Sequence, residues 1–129
     1  MNLQRLTILI VDDNAHSSEI IAEHLTSALK DAVIVNAPDG SEALRMLRQR
    51  PIDLVITDEV MPKKSGTDLI KDAAASGVNC PFIILTGLRS QDVPIEKRNA
   101  HRVRLLEKPT SGSDLLQLVQ VILADRKTA

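Results

Sequence analysis

Three aspartates, a threonine and a lysine stand where apolar runs of this chain stop. Asp12 and Asp13 follow Thr7–Val11, Asp58 follows Leu54–Thr57, Thr86 closes Phe82–Thr86, and Lys108 comes just after Val103–Leu106. The segment LVITDEVMP shows the tension, because residues suited to a buried strand lead straight into Asp58. An ionised carboxylate in apolar surroundings is costly, or else takes up a proton. Asp58 therefore belongs either at the open lip of a sheet or beside a group that wants its charge. Crowded carboxylates raise one another's pKa unless a cation joins them. A hard divalent ion relieves that repulsion, and Mg²⁺ suits a site with few carboxylates and several waters. A carboxylate is also a nucleophile for phosphoryl transfer, a reaction that depends mainly on positioning and charge neutralisation. Lys108 and the Thr86 hydroxyl could hold the remaining oxygens of a phosphoryl group carried on Asp58.

The elements that must position these residues are legible in the hydrophobic pattern. To the four runs above a fifth is added, Ala32–Val35. The runs beginning at Thr7, Leu54 and Phe82 are almost unbroken, as in strands covered on both faces. Helical stripes lie between them: Ile21, Leu25, Ala28 and Leu29; Ala43, Leu44 and Leu47; Leu69, Ile70, Ala73 and Ala74; Leu115, Leu118, Val119 and Ile122. Asp39 followed by Glu42 predicts a helix start of the capping-box kind. Gly77 after Ser76 predicts a left-handed stop, and Thr110, Ser111 and Ser113 are candidate caps for the last helix. Between Gly87 and Arg102 the stripe is thin and Pro94 interrupts it, so a short or irregular fourth helix is expected from about Pro94. Strand and helix thus alternate along the whole chain. Right-handed crossovers then give an α/β fold, a doubly wound five-stranded parallel sheet with helices on both faces. Ligands of such sheets bind beyond the carboxyl ends of the strands, which collects the five polar residues on one rim. The second run ends in Asn36-Ala37-Pro38 and is expected at the sheet edge.

Composition narrows the classes further. A chain of 129 residues reads as one domain, 1–129. Its ordered core is expected over about residues 5–126, with a frayed tail beyond. No apolar run approaches the roughly 20 residues that span a bilayer. The opening MNLQRLTILIVDD ends in aspartates rather than at a small-residue cleavage site, so it reads as a strand and not a signal peptide. A single cysteine, Cys80, excludes an internal disulfide and fits a reducing compartment, the cytoplasm. A net charge of −1 points to no nucleic acid and no membrane as partners. Phe82 is the sole aromatic residue, which leaves no stacking platform for bases or flat cofactors.

Taken in order, ILIVDDN, PDGSEAL, DLVITDEVMPKKSG, IILTG and LLEKP resemble the receiver domain of two-component response regulators, over essentially the whole chain. The resemblance implies a flavodoxin-like strand order of 2-1-3-4-5. It implies that Asp58 is the phosphoacceptor. Asp13 and Asp58 would then bind Mg²⁺, with Asp12 helping through water, and the backbone carbonyl of Val60 would be the third protein ligand. Thr86 would move toward the phosphoryl group, Lys108 would pair with it, and the Lys108–Pro109 bond would be cis. The implied donor is a sensor histidine kinase or a histidine phosphotransfer protein. The output would pass through the face made by the fourth helix, fifth strand and last helix, to a downstream protein partner or a fused effector domain outside this chain. A homodimer formed on phosphorylation belongs to the same picture. So does a chain that is no enzyme beyond catalysing its own phosphorylation and dephosphorylation.

Departures from the pattern carry expectations of their own. Leu105 stands where the family has its switch aromatic, and Thr110 where phenylalanine often follows Lys-Pro. RNAHRVR replaces a small, glycine-containing stretch, and Glu59 is expected to add negative charge beside Asp58. Val60 and Leu88, two residues after Asp58 and Thr86, are apolar and cannot orient a water, so slow self-dephosphorylation is expected. Lys97, Arg98, Arg102 and Arg104 read as a wet face or a site for an acidic partner. Lys63 and Lys64 read as solvated, His16, His24 and His101 as exposed or half-buried, and Cys80, Met46 and Met61 as packing residues. Three other classes remain. A degenerate receiver would act unphosphorylated, as an interaction module. An aspartate-nucleophile phosphohydrolase would need a second carboxylate where Val60 stands. A nucleotide- or flavin-binding protein would want a glycine- or serine-rich loop where VDDNAHSS stands.

Overall fold

The computed structural model describes residues 6–108 and 111–128. Five strands, β1 (Leu6–Val11), β2 (Ala32–Ala37), β3 (Leu54–Asp58), β4 (Phe82–Thr86) and β5 (Val103–Glu107), form one sheet in the order β2-β1-β3-β4-β5. Every pairing is parallel. Four α-helices connect and flank them: α1 (Ala15–Ala28), α2 (Gly40–Gln49), α3 (Gly66–Ala75) and α4 (Gly112–Thr128).

The unbroken apolar runs are explained by the two faces they serve, since successive strand residues point to opposite sides. Leu9, Val11, Val55 and Phe82 pack with Ala43, Leu47, Leu69 and Ala73 of α2 and α3. Ile8, Ile10, Leu54 and Ile83 pack instead with Leu25 of α1 and with Leu115 and Val119 of α4. Each of these large side chains is fully or almost fully buried, a contribution of about 1.5–3 kcal/mol apiece. The outcome is a sheet stiff at its centre, with strand ends that cannot slip without moving both cores.

Helix starts follow short polar side chains, which accept otherwise orphaned backbone donors. Asn14 accepts from Ser17 N, Asp39 from Glu42 N, and Ser65 from Asp68 N. The Ser111 hydroxyl accepts from Asp114 N at the start of α4. Gly77 takes a left-handed conformation, φ 82°, past the end of α3, as its position requires. Glu42 does not reach back to close the capping box, because its carboxylate is taken by Arg45 one turn on.

The segment from Gly87 to Arg102 differs from expectation. No α-helix begins near Pro94. Two 3₁₀ turns form instead, Ser90–Asp92 and Lys97–Arg102. Only Val93 and Asn99 are buried there, too little apolar surface to hold an amphipathic helix against the sheet. Ala28 is exposed rather than part of the α1 stripe. Strands β2, β3 and β5 run further than their apolar runs, and Asp58 is the last residue of its strand, in register with Leu85. The Lys108–Pro109 bond and Thr110 lie outside the described residues.

Candidate functional site

At the carboxyl ends of β1 and β3 the three aspartates converge. One oxygen from each of Asp12, Asp13 and Asp58 falls within 4.8 Å of the others. Their environments differ: Asp12 is 8% exposed, Asp58 is half-buried and Asp13 is open to solvent. The chain sets Asp12 by tying its backbone N–H to Ala37 O across the β1–β2 rim and its Oδ1 to Asn14 N at the entry to α1. Burial raises the Asp12 carboxyl above its usual range, and the negative charge of Asp58 raises it further, against the opposing pull of the Asn14 amide and of Lys108. Such a donor set fits a hard divalent cation: three carboxylates, all-oxygen, one buried and carrying an unfavourable charge.

Lys108 reaches Asp58 from the other side of the rim, Nζ to Oδ1 at 2.9 Å. Its own backbone N–H donates to Thr86 O at 2.6 Å, which fixes where the lysine stem leaves β5. Thr86 is 2% exposed at the end of β4. Its hydroxyl is turned to its own loop, where Oγ1 accepts from Leu88 N at 2.9 Å. Four of the five expected side chains thus stand together, and the fifth, Thr86, shares the rim with its hydroxyl engaged elsewhere. The side chains of Val60 and Leu88 are 75% and 42% exposed at the same end of the sheet.

Glu59 corrects an expectation. It adds no charge to the open rim, since it is 6% exposed and turned away toward α3. There Oε1 accepts from Thr67 N at 2.8 Å and Oε2 from the Thr67 hydroxyl at 2.9 Å. Gly66 N donates to Glu59 O as well. A carboxylate at a helix start is favoured by the helix dipole and by the orphaned amides it satisfies. Gly66 is required by closeness, because a Cβ there would lie 2.6 Å from Asp58 O. This bolt between the end of β3 and the start of α3 escaped the sequence reading. Its only trace was the Ser65-Gly66-Thr67 cap that follows the proline turn.

The basic residues separate into roles. Arg102 Nη1 donates to Val78 O, tying the end of β5's approach to the loop after α3, so it is part of the scaffold. Arg98 pairs with Glu96, Lys63 with Asp39, and Lys64 with Asp72. Lys63 takes φ 71° with a Lys64 N to Pro62 O bond across it, a γ-turn of the strained hand. His16, His24 and His101 are all exposed. A cleft of about 630 Å³ runs from Asp12, Asp58 and Lys108 between α1 and α4, past Ile20, His24 and Leu115. No helix among the described residues is long and apolar enough to cross a membrane.

Comparison with known proteins agrees with this geometry. A family profile, the response regulator receiver domain, matches residues 8–120. The transcriptional regulatory protein PdtaR of Mycobacterium tuberculosis is 30% identical over 117 residues, covering 91% of this chain and 56% of that protein. A protein-glutamate methylesterase/protein-glutamine glutaminase of Bacillus licheniformis is 31% identical over 118 residues, 90% of this chain but 32% of its own length. The chain therefore spans about half or less of the length of these relatives. Among solved structures, the receiver domain of the Francisella response regulator 1452 superposes with a TM-score of 0.83 at 26% identity, covering 95% of this chain and 99% of the other.

Proposed function

Because this chain belongs to the response regulator receiver domain family of two-component signalling, we propose that Asp58 is its phosphoacceptor. The observation that carries this is the joint placement of Asp12, Asp13 and Asp58, oxygens within 4.8 Å, with Lys108 Nζ 2.9 Å from Asp58. A carboxylate oxygen of Asp58 would attack phosphorus while the donor's bond to phosphorus breaks, leaving an acyl phosphate on Asp58 and the donor nitrogen or oxygen with its electron pair. Asp13, Asp58, Asp12 and the Val60 carbonyl are the groups that would hold Mg²⁺, which when bound neutralises the acids and the phosphoryl oxygens. Lys108 balances charge at Asp58 before transfer and at the phosphoryl group after it. Thr86 supplies a hydroxyl donor once it turns from Leu88.

The donor is proposed to be a sensor histidine kinase or a histidine phosphotransfer protein, met in the cytoplasm. Chemistry on external substrates is not proposed: the protein promotes only transfer onto itself and loss from itself. The added charge would bias a pre-existing equilibrium of the β5–α4 face and of the 3₁₀ segment before it. That change would be read by a downstream protein, by an effector domain outside these 129 residues, or by a second copy forming a homodimer. Incubation with acetyl phosphate and Mg²⁺, followed by intact mass spectrometry, tests the proposal. Gain of one phosphoryl group, lost in Asp58→Asn, is expected; no gain in the wild type, or a gain that survives Asp58→Asn, overturns it.

A further inference from the structure

Glu107, the last residue of β5, faces the loop after β4. Its Oε2 accepts from Ser90 N at 3.0 Å and from Ser90 Oγ at 2.8 Å. Two residues earlier in that loop, Leu88 N holds the Thr86 hydroxyl oxygen. Between them Gly87 has open space on the side where a Cβ would stand, so nothing packs the loop down at that point. The loop is thus tethered at both ends of a short span, Thr86 to Leu88 and Ser90 to Glu107, and little else holds it. Register makes the tether part of the site, since Thr86 and Glu107 are paired across β4 and β5. Glu107 and Lys108, adjacent where β5 ends, then serve opposite ends of the rim: Lys108 holds Asp58 and Glu107 holds the loop. The two Ser90 bonds also keep the Glu107 carboxyl below its usual range, as expected of an ionised acceptor.

From this geometry we infer that Glu107 is a positioning residue. It latches the Leu88–Ser90 loop in the arrangement in which Leu88 N holds the Thr86 hydroxyl oxygen, and so slows phosphoryl acceptance and the response to it. The inference rests on Asp58 as phosphoacceptor. Turning the Thr86 hydroxyl gives up its bond from Leu88 N, and lifting the loop removes that bond first. Lifting breaks the Ser90–Glu107 bonds. A latched population takes up phosphoryl more slowly in proportion to how rarely it opens, and removing the latch raises the open fraction.

The test compares initial phosphorylation rates with acetyl phosphate and Mg²⁺, by intact mass, in wild type, Glu107→Gln, Glu107→Ala and Ser90→Ala. Amide hydrogen exchange at Leu88 and Ser90 is followed without donor. Glu107→Ala is expected to accelerate both exchange and phosphorylation by about three- to tenfold, with Ser90→Ala and Glu107→Gln between it and wild type. In a Thr86→Ala background the Glu107→Ala change should leave the rate unaltered, which a general loosening of the fold would not do. Equal or slower phosphorylation in all three variants, with a phosphorylatable wild type, overturns the latch and leaves the phosphoacceptor assignment intact. A wild type that takes up no phosphoryl group overturns both. Should Glu107→Ala not fold, Ser90→Ala on the exposed loop carries the same comparison.

Discussion

The two halves of the rim are built differently. On the β1–β3 side, Asp12 and Asp58 leave strands that are buried on both faces, and Glu59 and Gly66 bolt the end of β3 to α3. Across the β4–β5 side, Thr86 leaves a fully buried strand and Lys108 an edge strand buried only at Val103, and the connection between them is two 3₁₀ turns with few buried residues. Its ties are exposed hydrogen bonds, which contribute little each in water. A site that must hold charge at fixed distances needs the first kind of construction. A site that must move on a small change of charge needs the second.

Breaking the rigid half should cost most. Gly66→Ala would ordinarily favour a helix slightly, yet here the new Cβ meets Asp58 O. The clash wins, and a loss of about 3 kcal/mol is expected in urea unfolding, together with impaired phosphoryl acceptance. Next comes Glu59→Ala, which leaves the buried Thr67 N–H without its acceptor and the Thr67 hydroxyl with Ser65 Oγ alone. About 2 kcal/mol of destabilisation is expected, with Glu59→Gln costing clearly less. Equal costs for the two variants would mean that volume, not hydrogen bonding, explains the residue.

Changes at the exposed ends of β3 and β4 should show in rate rather than in stability. Val60→Asn or Leu88→Glu places a group able to orient water at the exposed end of the sheet. Decay of phospho-Asp58 is expected to accelerate about tenfold, equivalent to about 1.4 kcal/mol of barrier. No acceleration in either variant would show that water access is limited elsewhere. The smallest effect belongs to Asp12→Asn. A carboxyl raised above its usual 3.8 binds its proton more tightly folded than unfolded, so the metal-free protein loses stability as pH rises from about 3.8 through the folded value. Removing that charge should raise Tm at pH 7 and flatten that slope, and at the proposed Mg²⁺ site it should weaken stabilisation by added Mg²⁺.

Much of the site could be read from the chain because its residues stand at the ends of apolar runs. Asp12 and Asp58 follow, and Thr86 closes, an almost unbroken apolar run, while Lys108 comes just after the shorter run Val103–Leu106. Parallel topology then sends all those ends one way. Glu59 could not be placed by the same logic. An alternating pattern says which side of a strand a residue leaves, but beyond the last ladder bond the direction is set by the turn. Here the turn carries Glu59 to the amides of Thr67. Nor did the sequence disclose how the segment after Gly87 settles, since weak periodicity leaves helix, 3₁₀ turn and coil close in energy.

The features legible along the chain are therefore periodic and cumulative: five strands, the four helices with clear apolar stripes, a parallel sheet and the identity of the charged residues at its rim. Many side chains vote for each of those features, so no single contact decides them. The tertiary structure alone decided the turned-away Glu59, the Gly66 contact with Asp58, the engaged Thr86 hydroxyl and the Ser90–Glu107 latch. Each depends on one or two contacts, from the Thr86–Leu88 turn to the Ser90–Glu107 pair across two strands, and strand or helix periodicity does not specify such partners.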